Sequence, residues 1–458
     1  MVKNFNRNIC LVFFSAILLL LAPFLYAQDS TEVILNDVIA LLAGRNFSSA
    51  LELFDKLDPQ VAQDTGIQIL RASISNSAGR PAEAIQIANR IIALDGNNTD
   101  ALMILADSAA LQNREHDRRR LLERIISISP AHARALTDLG NLSLGSRNLH
   151  VAAGYFDRAL AAEPENGEAL VGRAVIYRYD RESRNSERLL NRAASLYPAW
   201  ARPLHERARL YRSAGFHNDA LEDLDLALEL ENENYWIITD RGQVLMDMGR
   251  KQEALAAFAR AIEIEPNAFL AYVFSAGIKD ELGDYAGSEK DYVKLAGIRP
   301  DYYFAFEAIG IFNMKNKNWA KARDAFLDAY KQAPSELTYA MLAAVCWMRA
   351  GRQTDPKQFI AQVLRTVPRD SFEYAILRLY HDLSGDLDVA NRIETEKNAD
   401  TKARMIFYLA SFYDIRGNTN LANRYYSLMQ EQNAAVSVEW RLNEWILEER
   451  NLGLKVNK

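Results

Sequence analysis

Cysteine is almost missing from this chain of 458 residues: only Cys10 and Cys346 occur. Removal of the N-terminal segment would leave one, so an intrachain disulfide framework is excluded. Cys346 lies in the apolar run AAVCWM and reads as a small buried hydrophobe rather than a reactive thiol. Proline and glycine are sparse, 12 and 21 residues, and placed rather than scattered, so low-complexity linkers are excluded. Strictly alternating apolar and polar runs, the signature of half-buried strands, are also lacking. Basic excess is absent: 54 Lys and Arg face 60 Asp and Glu, for a net charge of −6, which argues against general nucleic-acid binding. Catalytic signatures are missing as well. The six histidines are dispersed, none in HExxH or a Cys/His cluster, and GxGxxG, GxxxxGK[ST] and GxSxG do not occur. No enzyme, metal or cofactor is expected.

The one long apolar run stands at the start. Met1 to Ala27 carries Lys3 and Arg7, then no charge from Ile9 onward, a helix-breaking Pro23, and Leu25-Tyr26-Ala27 before the polar Gln28. That layout predicts a secretory signal peptide cleaved after Ala27, with a membrane anchor over 9–27 as the alternative. On either reading the rest of the chain is extracytoplasmic, in the periplasm, or tethered to the inner membrane through this segment alone.

What is abundant is periodicity. Pro130, Pro164, Pro198, Pro266, Pro300, Pro334 and Pro368 share one phase in 34, with Asn232 taking the slot between Pro198 and Pro266. Ala50, Ala84, Ala152, Ala220, Ala254, Ala322 and Ala390 keep the same phase. Bulky residues follow four positions on, as in Phe54, Phe156, Phe258 and Phe326, and Gly140, Gly242 and Gly310 allow close helix approach. Gly215, Gly249, Gly283, Gly351 and Gly385 mark a turn inside each unit. Such helix pairs cannot bury their apolar faces alone and must stack.

The stretch Tyr235–Ala268 displays the whole pattern and resembles one unit of the tetratricopeptide repeat (TPR) family. The resemblance implies an all-α solenoid, a right-handed superhelix of helix–turn–helix repeats, with about 11–12 repeats and a closing helix. Ten in-phase units span 31–370, starting at Thr31, Thr65, Thr99, Ala133, Gly167, Ala201, Tyr235, Phe269, Tyr303 and Leu337. A degenerate unit follows over 371–402, another near Ala403 over 403–435, and a capping helix over 436–451. Arg118 and Pro356 replace the small second-helix residue and are expected to loosen stacking locally; the helix at Pro356 should begin there. The run FYLASFYDIRGNTNLANRYYSLMQ with VEWRLNEWILEE is similar to the C-terminal part of NlpI-type periplasmic TPR lipoproteins, which implies an adaptor role in envelope protein assembly or turnover.

In this family the first helix of each unit lines a concave face. By register, Arg202, His205, Arg209 and Arg212 fall on one helix face, with Arg178 before them and Trp236 beyond, suited to acidic segments of protein or peptide partners or, alternatively, paired with Glu206 and acids on adjacent helices. Phe304, Ile311, Met314, Met341, Val345 and Met348 form a second, apolar zone, either suited to an amphipathic helix or, where the array is tightly closed, simply core.

Overall fold

The computed structural model describes residues 29–351 and 356–452; the leader-like segment 1–27 lies outside the described residues. The described residues are helices joined by short turns, in two compact units, Met1–Glu231 and Asn232–Lys458. The division falls where Asn232 stands in place of the turn proline.

The first unit opens with α1 (Asp29–Ala43), α2 (Phe47–Phe54) and one turn of helix, α3 (Pro59–Ala62). Regular pairs follow: α4 and α5 (Thr65–Ser77, Pro81–Leu94), α6 and α7 (Thr99–Leu111, Glu115–Ile128), α8 and α9 (Ala133–Gly145, Leu149–Ala162), α10 and α11 (Gly167–Tyr179, Ser183–Leu196), α12 and α13 (Ala201–Ser213, His217–Leu230). The second unit continues with α14 and α15 (Tyr235–Asp247, Lys251–Ile264), α16 and α17 (Phe269–Glu281, Tyr285–Ile298), α18 and α19 (Tyr303–Lys315, Trp319–Gln332), α20 and α21 (Leu337–Arg349, Pro356–Leu364). It ends with α22 and α23 (Phe372–Asp382, Asp386–Thr395), α24 and α25 (Ala399–Ile415, Thr419–Met429) and α26 (Val438–Glu449). The predicted unit starts from Thr65 to Leu337 are the first residues of their helices, and Pro356 opens α21.

Local chemistry explains this regularity. Asp64, Asn98 and Asn166 precede the first helices of their pairs and accept hydrogen bonds from the exposed N–H groups of the first turn. The turn within each pair uses one left-handed residue at constant spacing, with φ of 72°, 81° and 74° at Gly79, Gly215 and Gly249, and 59° and 62° at Arg147 and Arg181. An arginine on one second helix donates to a carbonyl at the end of the preceding second helix: Arg124 to Gly96 at 2.6 Å and Arg158 to Pro130 at 3.0 Å. Between the helices sit the phase residues. Ala152, Ala254 and Ala322 are wholly buried, and the Phe156 ring is wedged between Gly140 and Gly172, where a Cβ would lie 2.6 and 2.4 Å from it.

Arg118 is buried in α7 and pairs with Asp138 of α8 at 3.1 Å, an ion pair where other repeats have a small-residue contact. Two expectations are corrected. The helix expected near Ala403 starts one turn earlier, at Ala399, because Asn398 caps it. The terminal helix is more than a cap. It packs on α24 and α25 and also on α18, burying Glu439, Trp440, Leu442, Asn443 and Leu447.

Candidate functional site

In the first unit, arginines on the first-helix face pair with carboxylates on the same or an adjacent first helix, as Arg134, Arg178, Arg202 and Arg209 show. Arg202 of α12 bonds Glu168 of α10. Arg178 of α10 reaches Glu206 of α12 at 3.3 Å, and Arg209 meets the other Glu206 oxygen at 2.9 Å. Arg134 of α8 forks onto both oxygens of Asp107 of α6 at 2.8 Å. His205 and Glu206 are buried, whereas Arg178, Arg202, Arg209 and Arg212 are half-buried. Burial opposes ionisation of Glu206, but Arg209, His205, Arg178 and Arg202 together hold its carboxyl below the ordinary value. The stripe is therefore a ladder of alternating charge along successive first helices, rather than a row of uncompensated cations. Trp236 belongs to the second unit, half-buried with its ring 4.8 Å from that of Tyr235.

The apolar zone of the second unit is core rather than open groove, Phe304 excepted. Ile311, Met314, Met341, Val345 and Met348 are at most 7% exposed and belong to one core. The reason is tertiary. The second helices α21 and α23 have only 9 and 10 residues, and α24 packs directly on α20 past the intervening pair. There α24 covers the α20 face, while α26 covers α18. Arg441 of α26 forks onto Asp280 of α16, 161 residues away, with its guanidinium 4.5 Å from the Trp445 ring centre. Lys317 bonds Glu449, and Arg404 joins Glu439 to Thr338. Phe304 alone of the six stays open, 48% exposed. Cys346 is wholly buried as expected, and burial pushes its thiol far above the ordinary range. Among the described residues, no three His, Cys, Asp or Glu side chains are grouped as metal ligands, and no helix is long and apolar enough to cross a membrane.

Family models of the tetratricopeptide repeat match residues 137–200 and 238–268. The chain contains tetratricopeptide repeats. Human tetratricopeptide repeat protein 6 is 25% identical over 198 residues, 42% of this chain and 38% of that protein. The human protein O-mannosyl-transferase TMTC1 is 25% identical over 203 residues, 43% of this chain and 23% of that protein. The chain thus matches well under half the length of these curated relatives. Among solved structures, PilF of Pseudomonas aeruginosa aligns with a TM-score of 0.40 at 18% identity, over 45% of this chain and 94% of that one.

Within the tetratricopeptide array, sequence reasoning missed the carboxylates Glu168 and Asp107. Their signal was available: each lies on a first helix, one repeat from the arginine it holds. Asp280 and Arg441 carried no such signal, since their contact spans several repeats.

Proposed function

We propose that this chain is a non-enzymatic scaffold that binds protein or peptide partners on its first-helix faces, outside the cytoplasm, in assembly or turnover of cell-envelope proteins. The observation that carries the reading is the division of labour within a repeat. The recurring packing and capping residues sit on second helices and turns, as Ala152, Phe156, Arg158 and the turn at Arg147 illustrate. Side chains on first helices that differ between repeats and keep some exposure include Arg178, Arg202 and Phe304. Arginines prepositioned by Glu168 and Glu206 lose little side-chain freedom on meeting an acidic partner segment. The extracytoplasmic setting is supported by the sequence of residues 1–27.

A photo-crosslinking residue placed at Arg178 or Phe304 of the full chain, in its native cells, tests this reading. Envelope proteins should be captured there, and not from the second-helix positions Arg158 or Arg192. Equal capture from both sets of positions, or cytoplasmic proteins alone, would overturn it. N-terminal sequencing of the mature protein separates secretion, with Gln28 first, from anchoring. Turnover in a hydrolase screen that disappears on single carboxylate replacement would establish an enzyme instead.

A further inference from the structure

The second unit carries a file of aromatic rings at the joints between its repeats. Phe269 and Tyr302 meet edge to face at 5.1 Å, Tyr302 and Phe304 at 5.6 Å, Phe304 and Tyr303 at 4.2 Å, and Tyr303 and Tyr339 at 6.1 Å. Packing within a repeat does not account for it. Tyr302 occupies the slot where Asp64, Asn98 and Asn166 cap their helices, and it makes no side-chain cap bond. Surrendering such a cap costs about 1 kcal/mol. Phe304 and Leu270 remain 48% and 40% exposed beside the file, on first helices.

Charge distinguishes the two ends. Over Phe269 the Arg299 guanidinium lies 5.2 Å from the ring centre, so one end already holds a cation on its face. At the other end Glu307 accepts a hydrogen bond from the Tyr339 hydroxyl at 2.6 Å. Among the described residues no cation lies within ion-pair distance of Glu307. Burial holds its carboxyl above the ordinary value against the Tyr339 hydrogen bond, and Glu439 and Glu336 add more than Arg441 offsets. A half-buried carboxylate of this kind, walled by rings and in a locally negative field, is complementary to an organic cation. One carboxylate with aromatic neighbours is a poor set for a hard metal ion, and the negative field disfavours phosphate.

We propose that the open part of the ring file, at Phe304 and Tyr303 in front of the buried Tyr339, is a docking surface for a partner-protein segment that presents an arginine or lysine side chain. The aliphatic stem lies on Phe304, and the cation is seated between the Tyr303 face and the Glu307 carboxylate. The site rests on the reading of first-helix faces as protein-binding and gives it a partner chemistry opposite in sign to that of the arginine ladder.

The test is calorimetric titration of the full chain with acetylated, amidated tetra-arginine and with tetra-citrulline, its uncharged isostere. Tetra-arginine should bind about tenfold more tightly, consistent with one cation–π contact and one relieved carboxylate. Glu307→Gln should erase most of that preference, and Phe304→Ala should weaken both peptides. Thermal unfolding of Glu307→Gln at or above the wild-type temperature shows the fold is intact; if it falls instead, Phe304→Ala carries the test. Equal affinity for the two peptides overturns the site, as does tetra-arginine binding unchanged in both variants. The first-helix crosslinking result stands or falls separately.

Discussion

A turn residue at the same position of successive repeats bears different costs in different repeats. Arg181 and Gly249 share the left-handed conformation, with φ of 62° and 74°, but only glycine adopts it without steric cost. Arg181→Gly should therefore stabilise the first unit by about 0.5–1 kcal/mol, the left-handed penalty of about 1–2 kcal/mol less the entropy cost of glycine. Gly249→Ala should destabilise the second unit by about 1 kcal/mol. Urea midpoints at constant m-value read both changes. Gly172 is different: its φ is ordinary, and its requirement is space beside Phe156. Gly172→Ala should cost about 1–3 kcal/mol by overpacking, with relief when combined with Phe156→Leu.

At the scale of elements, α26 determines the character of the second unit. Two polar clusters anchor it: Glu439, which is buried, with Arg404 and Tyr408, and the half-buried Arg450 on Asp414, which also holds Arg349 of α20. Burial would raise the Asp414 carboxyl, yet Arg450 and Arg349 draw it below its ordinary value. A carboxylate with a depressed folded pKa contributes stability above its unfolded value, and that contribution is lost as pH falls through the folded one. Tryptophan fluorescence, five of whose six reporters lie in the second unit, should show that unit weakening below about pH 4. Asp414→Asn should cost about 3 kcal/mol at neutral pH and flatten this part of the profile. Deleting residues 436–458 should raise amide exchange in α18 by about an order of magnitude, because Ile311 and Met314 lose their cover. Unchanged exchange would mean that α26 is dispensable for that face.

At the scale of the molecule, a repeat touches mainly its neighbours, so stability is distributed rather than pooled. Phe156→Ala removes a fully buried ring and should cost about 3–5 kcal/mol. Hydrogen exchange should place the damage in α8 to α11, with α24 keeping its protection. Loss of protection throughout the chain would contradict a nearest-neighbour array. Charge is distributed in the same way: an ion-paired arginine ladder lies in the first unit, and a ring file ending on Glu307 lies in the second.

Sequence by itself determined the repeat length, the helix starts from Thr65 to Leu337, the turns, and the burial of the phase residues. Those roles are local, and each recurs every 34 residues, so the pattern reports them many times over. Tertiary structure alone decided which charges meet and which apolar faces stay open. Arg202 finds Glu168 across one repeat, while Arg441 finds Asp280 across several. Met341 and Val345 have the register of an exposed face and are buried because α24 packs against α20. Register specifies the direction in which a side chain leaves its helix, but its cover depends on contacts that the 34-residue period does not encode.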